Sequence, residues 1–209
     1  MSQIILDFGS GNTCKNNKEY IKRMIDELKA VDTGKHEVII KWQLFKEAGN
    51  NIPLEYDMLI LAYNYAKSLG YKTTASVFDK DSLEFLINWF DIPFIKIANN
   101  PKYYNLIGEV PRNIPVYVST KNIESYEYMN DRNLDSMCCV SNYPANIEDY
   151  ENNFKNTQLR LSISDHTTDF KLFKKYIPYV IEWHYKLEDS TGLDAGEFAR
   201  TPKQLSEVL

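Results

Sequence analysis

Eight short apolar runs recur along the chain, each followed by a stretch of helical spacing, and this alternation limits the fold more than any single residue does. The runs cover residues 3–7, 37–43, 73–78, 94–98, 115–120, 137–141, 159–164 and 179–185. They are brief and mostly β-branched or aromatic, which separates strands from fragments of helix. The segment 18–28 places Ile21, Met24, Ile25 and Leu28 on one face, the pattern of an amphipathic helix. Similar stretches cover 54–69, 81–90, 103–110, 123–129, 147–154 and 170–176. A last one, 202–209, opens behind Thr201, an N-cap residue followed by proline.

Strand and helix alternating from end to end predict an α/β fold with a parallel sheet. Eight such units predict a closed, compact (β/α)8 TIM barrel, a single domain over residues 1–209 and near the short end of the usual size. The competing arrangement, an open doubly wound sheet, wants a glycine-rich turn after a strand. Residues 8–13 (FGSGNT) lack the third glycine and the P-loop lysine.

Composition narrows the partners. A net charge of −5 and a pI near 5.3 argue against a nucleic-acid binder, which carries the opposite sign. No run approaches the ~20 apolar residues that span a bilayer, and the first residues lack a basic leader. Cys14, Cys138 and Cys139 are odd in number, with two adjacent, a poor disulfide framework. Reduced thiols predict a cytoplasmic protein.

Charge appears where a barrel strand should be apolar. Lys41, Lys96 and Glu182 interrupt hydrophobic runs, and a buried charge needs a partner or a ligand. Side chains alternate across a strand. Lys41 and Gln43 therefore share one face, as do Ser162, Ser164 and His166, and Glu182 and His184. Each set lies toward the C-terminal end of its strand, where barrel active sites form. Asp7, Ser76, Ser119, Thr120 and Ser141 occupy similar positions. Two lysines among hydroxyls suggest a phosphate or carboxylate site. Two of the three histidines, His166 and His184, with Glu182 and Asp7 nearby, suggest a divalent metal. His36, at the opposite end of its strand, reads as structural, and Cys139 as a packed residue that at most lines the barrel.

These residues carry a resemblance. Ser164-Asp165-His166-Thr167, Ile181-Glu182-Trp183-His184-Tyr185, Gly192-Leu193-Asp194, Lys41-Trp42-Gln43, Phe94-Ile95-Lys96-Ile97-Ala98, Ser119-Thr120 and Cys139-Val140-Ser141-Asn142-Tyr143-Pro144 fall in the order of motifs in the sialic acid synthase (N-acetylneuraminate synthase) family. The chain resembles that family's barrel, without a counterpart of its C-terminal antifreeze-like domain.

The resemblance implies a cytoplasmic transferase of sialic acid or related carbohydrate biosynthesis. It would condense phosphoenolpyruvate with an aldehyde amino sugar to a nonulosonate-type 2-keto acid and phosphate. His166 and His184 would hold the metal, Mn²⁺ by preference over Zn²⁺, Fe²⁺ or Co²⁺. Lys41, Lys96, Ser119, Ser164 and Tyr143 would bind phosphoenolpyruvate, supported by Ser76 and Ser141. Gln43 and Asp194 would face the sugar. Glu182 would move protons, with Asp7 and Lys96 completing the catalytic set. Family members are commonly dimers, so a homodimer is the assembly the resemblance allows. Asp7 stands where the family has glutamate, and Asn99-Asn100-Pro101 where it has a carboxylate, which points to a different acceptor. Two other readings stay open: a barrel that binds a phosphorylated or acidic ligand without turnover, and another aldolase or lyase on the same fold.

Overall fold

In a computed structural model of the chain, residues 1–47, 49–121, 133–154 and 161–209 are described. Eight strands run parallel and close on themselves in chain order: β1 (Gln3–Asp7), β2 (Glu37–Leu44), β3 (Lys72–Val77), β4 (Ile95–Ile97), β5 (Val116–Thr120), β6 (Leu134–Cys139), β7 (Ser162–Asp165) and β8 (Val180–His184). Pairing of β1 with β8 completes the barrel. The expected (β/α)8 TIM barrel is the fold.

The helices pack outside it: α1 (Gly11–Cys14), α2 (Lys18–Val31), α3 (Tyr56–Ser68), α4 (Lys80–Trp89), α5 (Ile147–Phe154), α6 (Lys171–Tyr176) and α7 (Pro202–Leu205). Local chemistry fixes their ends. Asn17 and Asp79 accept backbone N–H bonds at the starts of α2 and α4. Thr201 and Gln204 form a reciprocal capping box on α7.

Some boundaries differ from the sequence reading. Residues Pro101–Glu109 form a 3-10 helix, held at its start by the Asn100 side chain bonding the Lys102 N–H. Strand β6 starts three residues earlier than expected and ends at Cys139, because it pairs along β5 from Val116↔Leu134 to Thr120↔Cys138. Helix α7 stops at Leu205. Helix α1 and a 3-10 turn at Leu193–Ala195 carry no apolar periodicity and were not expected. The helix expected over 123–129, and residues 159 and 160 of the seventh strand, lie outside the described residues.

Strand parity divides the interior into two cores. One parity of each strand (Ile4, Leu6, Ile40, Trp42, Val77, Ile97, Val118, Ile163, Ile181, Trp183) packs outward against the helices. The other parity points into the barrel. There Ile5, Ile39, Phe94, Met137 and Val180 form a small apolar floor with Tyr117 against it. Two residues further along those strands, the inward position holds Asp7, Lys41, Lys96, Cys139 and Glu182. The barrel axis is therefore dry at one end and charged at the other. Cys14, Cys138 and Cys139 are buried free thiols. No described helix is long and apolar enough to cross a membrane.

Ile5 is fully buried in a floor with few other members. Ile5→Ala is expected to lower unfolding free energy by about 2–5 kcal/mol, the range for truncating a packed core aliphatic. Urea denaturation followed by circular dichroism checks it; a loss under about 1 kcal/mol would mean the floor collapses around the gap.

Candidate active site at the barrel mouth

A cavity of about 420 Å³ opens at the C-terminal ends of the strands. Thirteen residues expected at the site line it: Asp7, Lys41, Gln43, Ser76, Lys96, Ser119, Ser141, Tyr143, Ser164, His166, Glu182, His184 and Asp194; Thr120, also expected there, falls on the outward parity of β5 and does not. Register explains the convergence. Asp7 pairs sideways with Lys41 on one neighbour and His184 on the other. Ser76 lies level with Gln43 and Lys96, and Ser164 with Glu182 and Cys139.

The deepest layer is a network of buried charge. Lys41 Nζ donates to Asp7 Oδ2 at 2.7 Å and to Ser76 Oγ at 2.9 Å, and lies 3.7 Å from Glu182 Oε2. Lys96 Nζ donates to Ser119 Oγ at 2.6 Å and lies 3.5 Å from Glu182 Oε1. Ser164 Oγ donates to Glu182 Oε1 at 3.0 Å. Glu182 Oε2 has no hydrogen-bond partner. Burial alone would raise the pKa values of Asp7 and Glu182. The ammonium of Lys41, joined by His184 at Asp7 and by Lys96 at Glu182, outweighs it and holds both carboxyls below their ordinary value. Burial likewise disfavours the Lys41 ammonium, but Asp7 and Glu182 raise its pKa above normal. All three groups are therefore ionised at neutral pH.

The second layer holds the imidazoles. His184 Nδ1 lies 3.3 Å from Asp194 Oδ1 and 3.7 Å from Asp7 Oδ2, without a hydrogen bond. Burial opposes its protonation, and the two carboxylates overcome that and raise its pKa. Asp7, His184 and Asp194 each offer one ligand atom within 4.8 Å of the others. A buried unpaired nitrogen flanked by two carboxylate oxygens is a donor set that fits a divalent cation. His166 stands apart from this trio, its ring centroid 5.5 Å from that of His184. Its Nδ1 lies 2.7 Å from the Val140 carbonyl oxygen, which can only accept, so Nδ1 carries the proton. The Ser164 proton goes to Glu182, leaving the Nε2 lone pair, 3.4 Å from Ser164 Oγ, uncommitted. Burial, then the neighbouring His184, pushes the His166 pKa down to about 3, so the ring is neutral.

Aromatic side chains fix the rings. Tyr143 stacks on His166 at 4.1 Å, and Phe198 meets His184 edge-on at 4.9 Å. Behind the strand ends, on the outward parity, Trp183 Nε1 donates to Asp165 Oδ2 at 2.8 Å, and the Thr167 N–H bonds Asp165 Oδ1. Arg200 closes this bracket. It is fully buried, its Nη2 donates to the Asp169 carbonyl at 2.6 Å, and its own N–H bonds the His184 carbonyl.

Glycine brings in Asp194. Gly9 has φ +72°, and a Cβ there would meet Asp194 Cβ at 3.0 Å and Thr13 Oγ1 at 2.3 Å. Gly192 has φ +95°, and its Cβ would strike Asn12 Cβ at 2.6 Å. Only glycine at both positions lets the loop after β8 settle on the loop after β1.

The sequence reading missed Asn51, Phe78, Leu193 and Phe198 in the lining. Phe78 was findable, since it shares parity with Ser76; the others come from loops, which carry no such signal. It also gave no role to Asp165 and Arg200.

Fold and mouth together define a (β/α)8 barrel whose mouth sets two buried ammonium groups beside a carboxylate–imidazole cluster able to chelate a divalent cation. The chain belongs to the NeuB family, whose sequence profile matches residues 25–209. Among solved structures it is similar to an N-acetylneuraminic acid (sialic acid) synthetase from Leptospira borgpetersenii, at 20% identity and TM-score 0.76, covering 98% of this chain and 80% of that one. A putative spore coat polysaccharide biosynthesis protein E from Chromobacterium violaceum aligns with TM-score 0.81 at 18% identity, over 99% and 72% of the two chains. A truncated 3-deoxy-D-arabino-heptulosonate 7-phosphate synthase from Thermotoga maritima aligns with TM-score 0.69 at 16% identity, over 99% and 83%. No curated protein matches the chain.

Lys41→Met removes the ammonium between two buried carboxylates. It is expected to destabilise the protein by about 3–5 kcal/mol, the cost of leaving a buried ion unpaired. Thermal unfolding at neutral pH checks this. An unchanged midpoint would mean Asp7 and Glu182 find other partners.

Proposed function

We propose that this chain is a metal-dependent, phosphoenolpyruvate-using enzyme that forms a carbon–carbon bond with an open-chain aldehyde sugar, giving a nonulosonate-type 2-keto acid and phosphate. One observation carries the reading. Two buried ammonium groups, Lys41 and Lys96, converge on Glu182 immediately beside the Asp7–His184–Asp194 cluster. Across the two layers the carboxylates of Asp7, Glu182 and Asp194 exceed the ammoniums of Lys41 and Lys96 by one negative charge, and a divalent cation would reverse that balance in favour of a polyanionic substrate. Family membership and the sialic acid synthetase likeness support the substrate class.

In this reading His184, Asp7 and Asp194 would hold the cation, and His166, at the end of the neighbouring strand β7, presents its Nε2 lone pair to the same cavity. A bound divalent cation supplies Lewis-acid polarisation of the sugar carbonyl. Lys41 and Lys96, with Ser76, Ser119 and Ser164, hold the phosphate and carboxylate of phosphoenolpyruvate and fix its C3 toward that carbonyl. Ser141 and Tyr143 close over the anion from the β6 side. C3 bonds to the aldehyde carbon, water adds at C2, and phosphate leaves. Glu182, ionised and with Oε2 unpartnered, is the group placed to take the proton of that water. Asn51 and Asn99 also line the cavity.

Calorimetric titration of phosphoenolpyruvate, with Mn²⁺ and again with excess EDTA, tests this. Binding is expected. Lys96→Met is expected to weaken it about tenfold or more, as loss of a charge-assisted contact does. No heat under either condition would overturn the reading. Phosphate release in a screen of aldehyde sugars separates a synthase from a barrel that only binds, and turnover without phosphoenolpyruvate would mark a different aldolase.

His184→Ala is expected to abolish high-affinity Mn²⁺ binding, measured by the disappearance of the free Mn²⁺ resonance in electron paramagnetic spectra. Full affinity in that variant would move the cation elsewhere.

A further inference from the structure

His166 stands one residue past the end of β7, beyond the reach of either neighbouring strand. The ladder with β6 stops at Cys139↔Ser164, and the ladder with β8 at Asp165↔Trp183. Three other bonds hold the residue. Its Nδ1 donates to the Val140 carbonyl at 2.7 Å, its own carbonyl accepts from the Ala145 N–H at 2.9 Å, and its N–H donates to the Tyr150 hydroxyl at 2.9 Å. Val140 and Ala145 belong to the loop after β6. Tyr150 sits on α5 and is fully buried.

The Tyr150 hydroxyl accepts from His166 and donates to the Ser164 carbonyl at 2.7 Å. Ser164 is the last residue of β7 paired on both sides, with Cys139 and with Glu182. One phenolic oxygen therefore ties the backbone of His166 to the last fully laddered residue, where sheet bonding gives out. Tyr150 does not line the cavity, so it acts on the mouth only through the residues it holds.

Resting on the metal-dependent reading above, in which His166 turns its Nε2 lone pair into the cavity of the cation, we propose that Tyr150 is a positioning residue of the cation site. Its hydroxyl keeps the His166 imidazole beside that of His184, with ring centroids 5.5 Å apart. Tyr150→Phe retains the buried ring and loses both bonds, which leaves His166 with its two loop partners. The imidazole must then be ordered as the cation enters, and that cost weakens binding.

Mn²⁺ affinity of the full chain, read from the free Mn²⁺ resonance, and the thermal midpoint in EDTA test this in wild type, Tyr150→Phe and Tyr71→Phe. Tyr71 is the control: its ring is buried, and its hydroxyl donates to Asp32 Oδ2 at 2.8 Å, just before β3 at the floor end of the barrel. Both variants are expected to lower the metal-free midpoint. Only Tyr150→Phe is expected to weaken Mn²⁺ binding, by about tenfold. Wild-type affinity in Tyr150→Phe would overturn the proposal and leave the hydroxyl a purely structural part, with the cation site in place. An equal loss of affinity in Tyr71→Phe would also overturn it, because lost stability would then account for both. If Tyr150→Phe fails to fold, Tyr150→Met, which fills the space without a hydroxyl, decides by the same criteria. A wild-type chain that binds no Mn²⁺ would overturn the cation site and this role together.

Discussion

The buried charge layer at the waist of the barrel is the constraint on which the rest of the structure depends. Lys41, Lys96, Asp7 and Glu182 lie almost entirely out of water. Removing such ions from water costs several kcal/mol each unless geometry returns it. Here the return comes from mutual arrangement: each ammonium faces a carboxylate and a serine hydroxyl, and Glu182 faces both ammoniums. That arrangement exists only if β1, β2, β3, β4, β5, β7 and β8 hold their register. A slip of one residue would turn these charges into the apolar shell under the helices. The network therefore penalises wrong registers as strongly as it serves any ligand.

Above that layer, loops decide the shape of the mouth. Loops after β1, β2 and β8 are cross-braced: Asn16 donates to the Pro53 carbonyl, the Ile52 N–H bonds the Asn12 side chain, and Thr191 donates to the Asn12 carbonyl. Further out, Asp189 pairs with Lys15, just after α1, and with Arg23 of α2. This bracing carries Asp194 to within reach of His184, from a position ten residues later in the chain. Next to it, Arg200, Asp165 and Trp183 brace the ends of β7 and β8 from outside the barrel. Both brackets are polar contacts between residues far apart in the chain.

Much of this was legible in the sequence, for a definite reason. A strand has a period of two, so Lys41 with Gln43, Ser164 with His166, and Glu182 with His184 had to share faces once the runs were strands. Eight runs of alternating character had few ways to be parallel and buried other than by closure. Boundaries were less legible at β6, where Leu134, Asp135 and Ser136 are half-buried and carry no apolar signal of their own. The 3-10 helix after β4 reads like an α-helix in a window that short. Asn51, Leu193 and Phe198 come from loops, where neither period applies.

By itself the sequence determined the barrel, the polarity of its two ends and the identity of the side chains that meet at the charged one. It did so because hydrophobic periodicity and parity are local properties of the chain. Tertiary structure alone decided which of those side chains touch. The family resemblance paired His166 with His184 as metal ligands and set Asp194 and Gln43 toward a sugar. Folded, Asp194 lies against His184, Gln43 bridges it to Asp7, and His166, its Nδ1 proton on the Val140 carbonyl, keeps its Nε2 lone pair beside His184. Those contacts depend on how two loops, each with one left-handed glycine, pack on one another, and on which ring nitrogen a distant carbonyl claims. Both are long-range facts, outside the reach of any local pattern.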